Sequence, residues 1–209
     1  MKPLTRAVLA AALVLVLTGL SFAVMKPGEK LIPFSLKNVD GQDYTVTLED
    51  GRLTLIVSRT VAGETQTVKS HPSGILIDFW ATWCVPCRKA MPHMQKLYET
   101  YKPADGQSEG GLRLVGIALD EPGSKVVKPF YEKLKITYPM LADPPTAAPA
   151  AGIAATAKDM KKRYGVQEIP VVYLFDATGT ITHAHVGFKE AHIAALDAAV
   201  KALLPGAGK

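Results

Sequence analysis

An α/β fold with one central mixed β-sheet and helices on both faces is the architecture the sequence predicts, on three observations. Ile75-Leu76-Ile77-Asp78-Phe79-Trp80 is a short apolar run of the kind a strand buried on both faces requires. From Cys87 onward Ala90, Met91, Met94, Leu97, Tyr98 and Tyr101 recur every three or four residues, the stripe of an amphipathic helix. Leu112 to Leu119 is a second apolar run, so strand, helix and parallel strand follow one another as a βαβ unit.

The remaining elements follow in chain order. Residues 1–25 carry Lys2 and Arg6 and then nineteen uncharged residues, Ala7 to Met25, an export pattern. Ser21-Phe22-Ala23 offers a small-x-small cleavage site, while nineteen helical residues span about 28 Å, almost a bilayer core. The segment is therefore a signal peptide or a retained N-terminal membrane anchor, with cleavage the reading preferred. Under both, the basic end stays inside and residues 26–209 form one domain outside the cytoplasm. No Cys lies near residue 23 to carry a lipid anchor. Phe34 to Leu48, turning at Asp40-Gly41, reads as an N-terminal hairpin. Leu53 to Ser58 and Thr65 to Lys69, about Ala62-Gly63-Glu64, read as a second.

Pro92 interrupts the first helix and is expected to kink it. After Glu121-Pro122-Gly123 a helix runs through Phe130 to Leu134, and the Pro/Ala-rich stretch 144–157 reads as a surface insertion. Lys158 to Tyr164 is expected to be helical and to stop at Gly165. Val171 to Phe175 and Thr180 to Val186 form a hairpin about Asp176-Ala177-Thr178-Gly179, and Ile193 to Leu204 is the last helix. The order from residue 75 is β-α-β-α-β-β-α.

Composition excludes some classes. The chain has 209 residues, 48% hydrophobic and 21% charged, which suits one well-packed domain and argues against disorder. The net charge of +5 falls to +3 without Lys2 and Arg6. Lys161-Lys162-Arg163, the longest basic run, reads as a solvated helix face, so no nucleic-acid partner is expected.

Both cysteines sit in one Cys-x-x-Cys, Cys84 and Cys87. A disulfide closing so short a loop removes little entropy from the unfolded chain, so its value is redox rather than structural. Disulfide exchange needs a thiolate, and a helix N-terminus stabilises one at Cys84 through its unpaired N–H groups and dipole. Cys84 is therefore assigned as nucleophile, and Cys87, one turn on, as resolving thiol. Trp83 gives the site an apolar flank. The rival, half of a zinc site, lacks a second Cys-x-x-Cys or a suitable His pair, and no metal is expected. His183 and His185 share a strand face and read as solvated; His71 and His93 have no assigned role.

Ile77-Asp78-Phe79-Trp80-Ala81-Thr82-Trp83-Cys84-Val85-Pro86-Cys87-Arg88, Met91-Pro92, Tyr164-Gly165-Val166 and Ile169-Pro170 together resemble the bacterial TlpA/ResA-type branch of the thioredoxin superfamily. The resemblance runs from about Gly28 to Leu204. It implies a thioredoxin fold with an N-terminal hairpin and a central insertion, and a redox disulfide with no other cofactor. It implies that Ile169-Pro170 is a cis-proline loop facing the disulfide and pairing with the substrate backbone. Pro170 is then part of the catalytic site, with Trp83, Val85, Pro86 and Ile169 bordering the substrate. Asp78 matches the buried acid of thioredoxin, beneath the resolving cysteine; an acid in an apolar strand gains a raised pKa suited to proton transfer. An acidic residue near the cysteines is expected from the central insertion, Glu121 first and Asp120 second.

Departures from the pattern are Ala90, where a glutamate is common, Gly116, where thioredoxin has a lysine, and insertions at about 59–72 and within 120–157. The activity implied is reduction of disulfides in exported proteins, apocytochrome c among the candidates, in the periplasm or on the outer face of the cytoplasmic membrane. Electrons would come from a membrane donor. The alternatives are a disulfide oxidant or isomerase, a copper(I)-binding module using Met91 and Met94 beside the cysteines, and a thiol peroxidase. The last lacks the expected Thr three residues before Cys84, where Ala81 stands.

Overall fold

The computed structural model describes residues 23–104 and 106–204. Most of the expected leader thus lies outside the described residues. Met25, assigned to that leader, is built into the domain: it is buried, and its N–H donates to the Tyr173 hydroxyl at 3.3 Å. Among the described residues no helix is long and apolar enough to cross a membrane.

Two hairpins open the domain, β1 (Phe34–Asn38) with β2 (Asp43–Glu49) and β3 (Arg52–Val61) with β4 (Glu64–Ser70). The βαβ unit follows as β5 (Gly74–Trp80), α1 (Val85–Tyr101) and β6 (Leu112–Ala118). The central insertion supplies α2 (Ser124–Lys133) and β7 (Met140–Asp143), and α3 (Ala157–Arg163), β8 (Val171–Asp176), β9 (Ile181–Val186) and α4 (Glu190–Leu203) complete the chain. All nine strands form one sheet in the order β4-β3-β2-β1-β7-β6-β5-β8-β9. β5 runs parallel to β6 and antiparallel to β8. The order expected from residue 75 lacked β7 and wrote one helix at this point, although both α2 and α3 match segments expected to be helical. The four-residue β7 is the joint of the sheet, since it holds β6 on one side and β1 on the other.

Side-chain alternation along β5 divides the core. Ile75, Ile77 and Phe79 join the hairpin residues, Met160 and Tyr164 of the α3 region, and Tyr173 on one face. Leu76 and Trp80 join residues of α1, α2 and α4 on the other. On the first face the tyrosine hydroxyls are satisfied: Tyr164 donates to Ile32 O at 2.7 Å and Tyr173 to Tyr164 O at 2.8 Å.

Local chemistry sets the ends of the elements. Thr156 caps α3 by accepting from Asp159 N at 3.0 Å, and Lys161, Lys162 and Arg163 occupy its last turn. Gly165 follows with φ 65°, and a Cβ there would collide with Ala23 O, so only glycine lets the backbone at Ala23 pass. The Asp176 carboxylate accepts from Thr178 N and Thr180 N to close the β8–β9 turn. Residues 144–156 hold no regular helix or strand, but the stretch is not all surface: Ala154 is fully buried and bridges to Phe34 of β1. Pro92 sits within a continuous α1, where it removes one backbone donor.

Candidate active site

The site forms where β5 runs out into Ala81-Thr82-Trp83 and α1 begins. Cys84 is the N-cap of α1, with φ −81° and ψ 102°, and Pro86 stands at the start of the helix, where a missing N–H costs nothing. Cys84 and Cys87 are joined as a disulfide. Cys84 Sγ accepts the N–H of Cys87 at 3.2 Å, and α1 carries no acidic residue in its first turn to oppose a negative sulfur. In the disulfide both cysteines are buried, 4% exposed for Cys84 and 2% for Cys87, so exposure does not rank them. Geometry does: Cys84 Sγ lies outside the first turn, 3.7 Å from Ile169 O. Cys87 lies within it, and both cysteines pack against the α1-side core.

The Ile169-Pro170 peptide bond is cis. The loop is held from behind, since Gly187 N–H donates to Pro170 O at 2.7 Å. Trp83 and Val85 stand out into solvent, Trp83 at 67% exposure. A cleft of about 680 Å³ opens beside the disulfide, walled by Trp83 and Ile169, by Asp120 and Glu121, and by Lys158 and Lys161.

Asp78 is 1% exposed, on β5. It alternates with Ile77 and Phe79, so its carboxylate points to the α1 side, toward the core that contains Cys87. Its Oδ1 has no hydrogen-bond partner among the described residues, and burial alone raises its pKa to about 7. Tyr138, fully buried and also without a partner for its hydroxyl, is pushed well above the ordinary tyrosine range by burial, with the Asp78 charge adding to it. Thioredoxin's lysine has no room here: a Cβ on Gly116 would meet Met140 Sδ at 2.5 Å and Trp80 Nε1 at 3.0 Å.

The two acids of the insertion part company. Asp120 is buried and accepts from Thr82 N at 3.0 Å and from Thr82 Oγ1 at 2.6 Å, tying the insertion to the loop before Cys84. Glu121, ranked first from the sequence, is exposed on the wall of the cleft. A loop residue after a strand no longer obeys strand alternation, which is why spacing failed to separate the two. Met91 and Met94 are buried in the core beneath α1, which removes the support for their acting as soft metal ligands. His183 and His185 are half-buried rather than solvated. His71 contacts Thr54 Oγ1 at 3.2 Å, far along the sheet from the cysteines.

Comparison with known proteins agrees with this geometry. The AhpC/TSA family model matches residues 27–184. Thioredoxin-like protein YneN of Bacillus subtilis is 32% identical over 130 residues, 62% of this chain and 66% of that protein. Thiol-disulfide oxidoreductase ResA of Halalkalibacterium halodurans is 24% identical over 165 residues, 79% of this chain and 71% of its own. The chain spans about half the length of several other ResA proteins, 51% for that of Geobacillus thermodenitrificans. Among solved structures, the thioredoxin domain of a thiol-disulfide oxidoreductase from Bacteroides vulgatus superposes with TM-score 0.57 at 17% identity, covering 84% of this chain and 99% of that one. StoA from Bacillus subtilis does so with TM-score 0.51 at 21% identity, covering 83% and 98%. These structural likenesses establish the thioredoxin fold. With a family model matching more than half of its length, the chain belongs to the AhpC/TSA family, as a thioredoxin-fold protein carrying the cysteine pair of a thiol-disulfide oxidoreductase.

Proposed function

We propose that this thiol-disulfide oxidoreductase works outside the cytoplasm and reduces disulfides in exported proteins. The observation that carries the reading is the placement of Cys84 Sγ at the cap of α1, accepting the Cys87 N–H and facing Ile169 O, with the unpaired Asp78 carboxylate buried on the same side of the sheet. The basic and apolar leader supports export, and the names of the relatives support the exchange chemistry.

In the reaction proposed, the reduced pair meets a substrate disulfide lying along the Ile169-Pro170 loop, with Trp83, Val85 and Pro86 as its apolar border. The Cys84 thiolate attacks one substrate sulfur and the other leaves as a thiolate. Asp78, ionised at that stage, takes the Cys87 proton; the Cys87 thiolate then attacks Cys84 Sγ and releases the first substrate sulfur. The substrate gains two electrons and two protons, one passed on from Asp78 and one from solvent, and the Cys84–Cys87 disulfide is formed. A membrane electron donor restores the dithiol. Asp120 positions the Cys84 loop through Thr82, and Glu121 serves the cleft rather than the sulfurs.

The test is the reduction potential of the pair, set in defined thiol buffers. A value near about −270 mV supports the reductant, and one near about −120 mV overturns it in favour of a disulfide donor. Trapping checks the order of attack: Cys87→Ser accumulates mixed disulfides through Cys84, and equal trapping by Cys84→Ser contradicts the assignment.

A further inference from the structure

Four of the five histidines of the chain converge at the sheet edge beyond the active site. His183 and His185 lie two residues apart on β9 and share one face, the face covered by α1 and α4. His183 Nε2 lies 3.0 Å from His185 Nδ1. From α4, His192 packs on His185 with ring centroids 4.6 Å apart, and its Nδ1 lies 3.2 Å from Gly187 O. From α1, His93 brings its Nε2 to 3.4 Å from Asp197 Oδ1 of α4, at an angle too poor for a hydrogen bond. β9 is the last strand in the sheet order, and Gly28 and Glu29 pair with its outer edge at Ile181.

Two imidazole nitrogens 3.0 Å apart face each other in one of two ways, across a shared proton or across a metal ion. With metal–nitrogen bonds of about 2.0–2.1 Å, that separation subtends roughly 94° at a common ion. A right angle is the cis angle of a tetragonal or octahedral centre; a tetrahedral ion would need the nitrogens about 3.3 Å apart. We propose that His183 and His185 form a two-nitrogen chelate for a divalent transition-metal ion of the copper(II) or nickel(II) class, separate from the Cys84–Cys87 pair.

The pair is half-buried, with the His192 ring packed on His185. Asp197 faces the cluster with a negative charge through His93. With its Nδ1 proton donated to Gly187 O, His192 is held in one orientation against His185, the support that a backbone carbonyl lends to a ligand shell. Among the described residues no three or more His, Cys, Asp or Glu side chains are gathered into a metal site, so the chelate is a pair whose other positions are taken by solvent.

The test uses the full protein with Cys84–Cys87 oxidised, so that no thiolate is present to bind metal. Titration with Ni²⁺ by calorimetry is expected to give one saturable site, weakened at least about tenfold by His183→Gln or by His185→Gln and unchanged by His71→Gln. The Cu²⁺ form of the unmodified protein, which needs no variant to fold, is expected to show an axial electron paramagnetic resonance spectrum split by two nitrogens. Absence of saturable binding, no nitrogen splitting, or full affinity in the folded His183→Gln/His185→Gln variant overturns the proposal.

Discussion

Replacing Asp78 by Asn is expected to stabilise the oxidised protein by an amount that grows with pH. The carboxyl is fully buried with its pKa raised from 3.8 to about 7, and the cause is burial, so solvent screening does not discount the shift. Between these two values the folded protein holds a proton that the unfolded chain has released. The unfolded state then binds fewer protons, and stability falls as pH rises through that window. At about 1.36 kcal/mol per pKa unit, the loss is under about 1 kcal/mol at pH 4, roughly 2 at pH 5 and roughly 4 at pH 8. Asn keeps the shape of the protonated acid and never ionises, so the difference between variant and wild type isolates this one group. For a chain of this size, 4 kcal/mol corresponds to a rise in Tm of roughly 8–16 °C. Urea unfolding of both proteins at pH 4, 5 and 8 measures the curve. A difference that does not change with pH, or a variant less stable at pH 8, would refute the argument that Asp78 is buried without a compensating partner.

Two further outcomes follow from packing and hydrogen bonding around the site. Gly116→Ala drives a methyl into Met140 Sδ and Trp80 Nε1 and is expected to cost about 1–3 kcal/mol by urea unfolding; an unchanged midpoint contradicts the close approach. Asp120→Asn weakens the charge-assisted bonds to Thr82 and is expected to lose about 1–3 kcal/mol and slow exchange, with Thr82→Val giving part of the same effect; full activity and stability in both contradict the positioning role.

The sequence spelled out those parts of the molecule whose signal is local. β5 and β6 are apolar runs, α1 carries a clean three-and-four stripe, and β8–β9 turn at Asp176-Ala177-Thr178-Gly179, so each was legible without a partner. β7 was not, because Met140-Leu141-Ala142-Asp143 is four residues long and becomes a strand only by fitting between β6 and β1. Missing it hid the fact that both N-terminal hairpins continue the central sheet. The histidines show the same limit. Alternation put His183 and His185 on one face, but their burial depends on where α1 brings His93 and α4 brings His192, distances set by helix packing rather than spacing.

The two faces of the sheet treat polar groups differently. On the hairpin side the buried tyrosines Tyr164 and Tyr173 both donate to backbone carbonyls, as a core built for stability requires. On the α1 side Asp78 Oδ1, Trp80 Nε1, Tyr138 Oη and His93 Nε2 are buried without hydrogen-bond partners among the described residues, and on the hairpin side Arg113 Nε is. An unsatisfied buried polar atom costs about 1–3 kcal/mol, and Asp78 adds its pH-dependent penalty, so four such atoms on one face are expensive for packing alone. An apolar residue at position 78 would remove the largest of these costs, and β5 already carries apolar neighbours on both sides of it. Under the proposed function it would also remove the group that takes up and returns the Cys87 proton. The face with more unpaired polar atoms is the one on which the proposed function places its proton transfer.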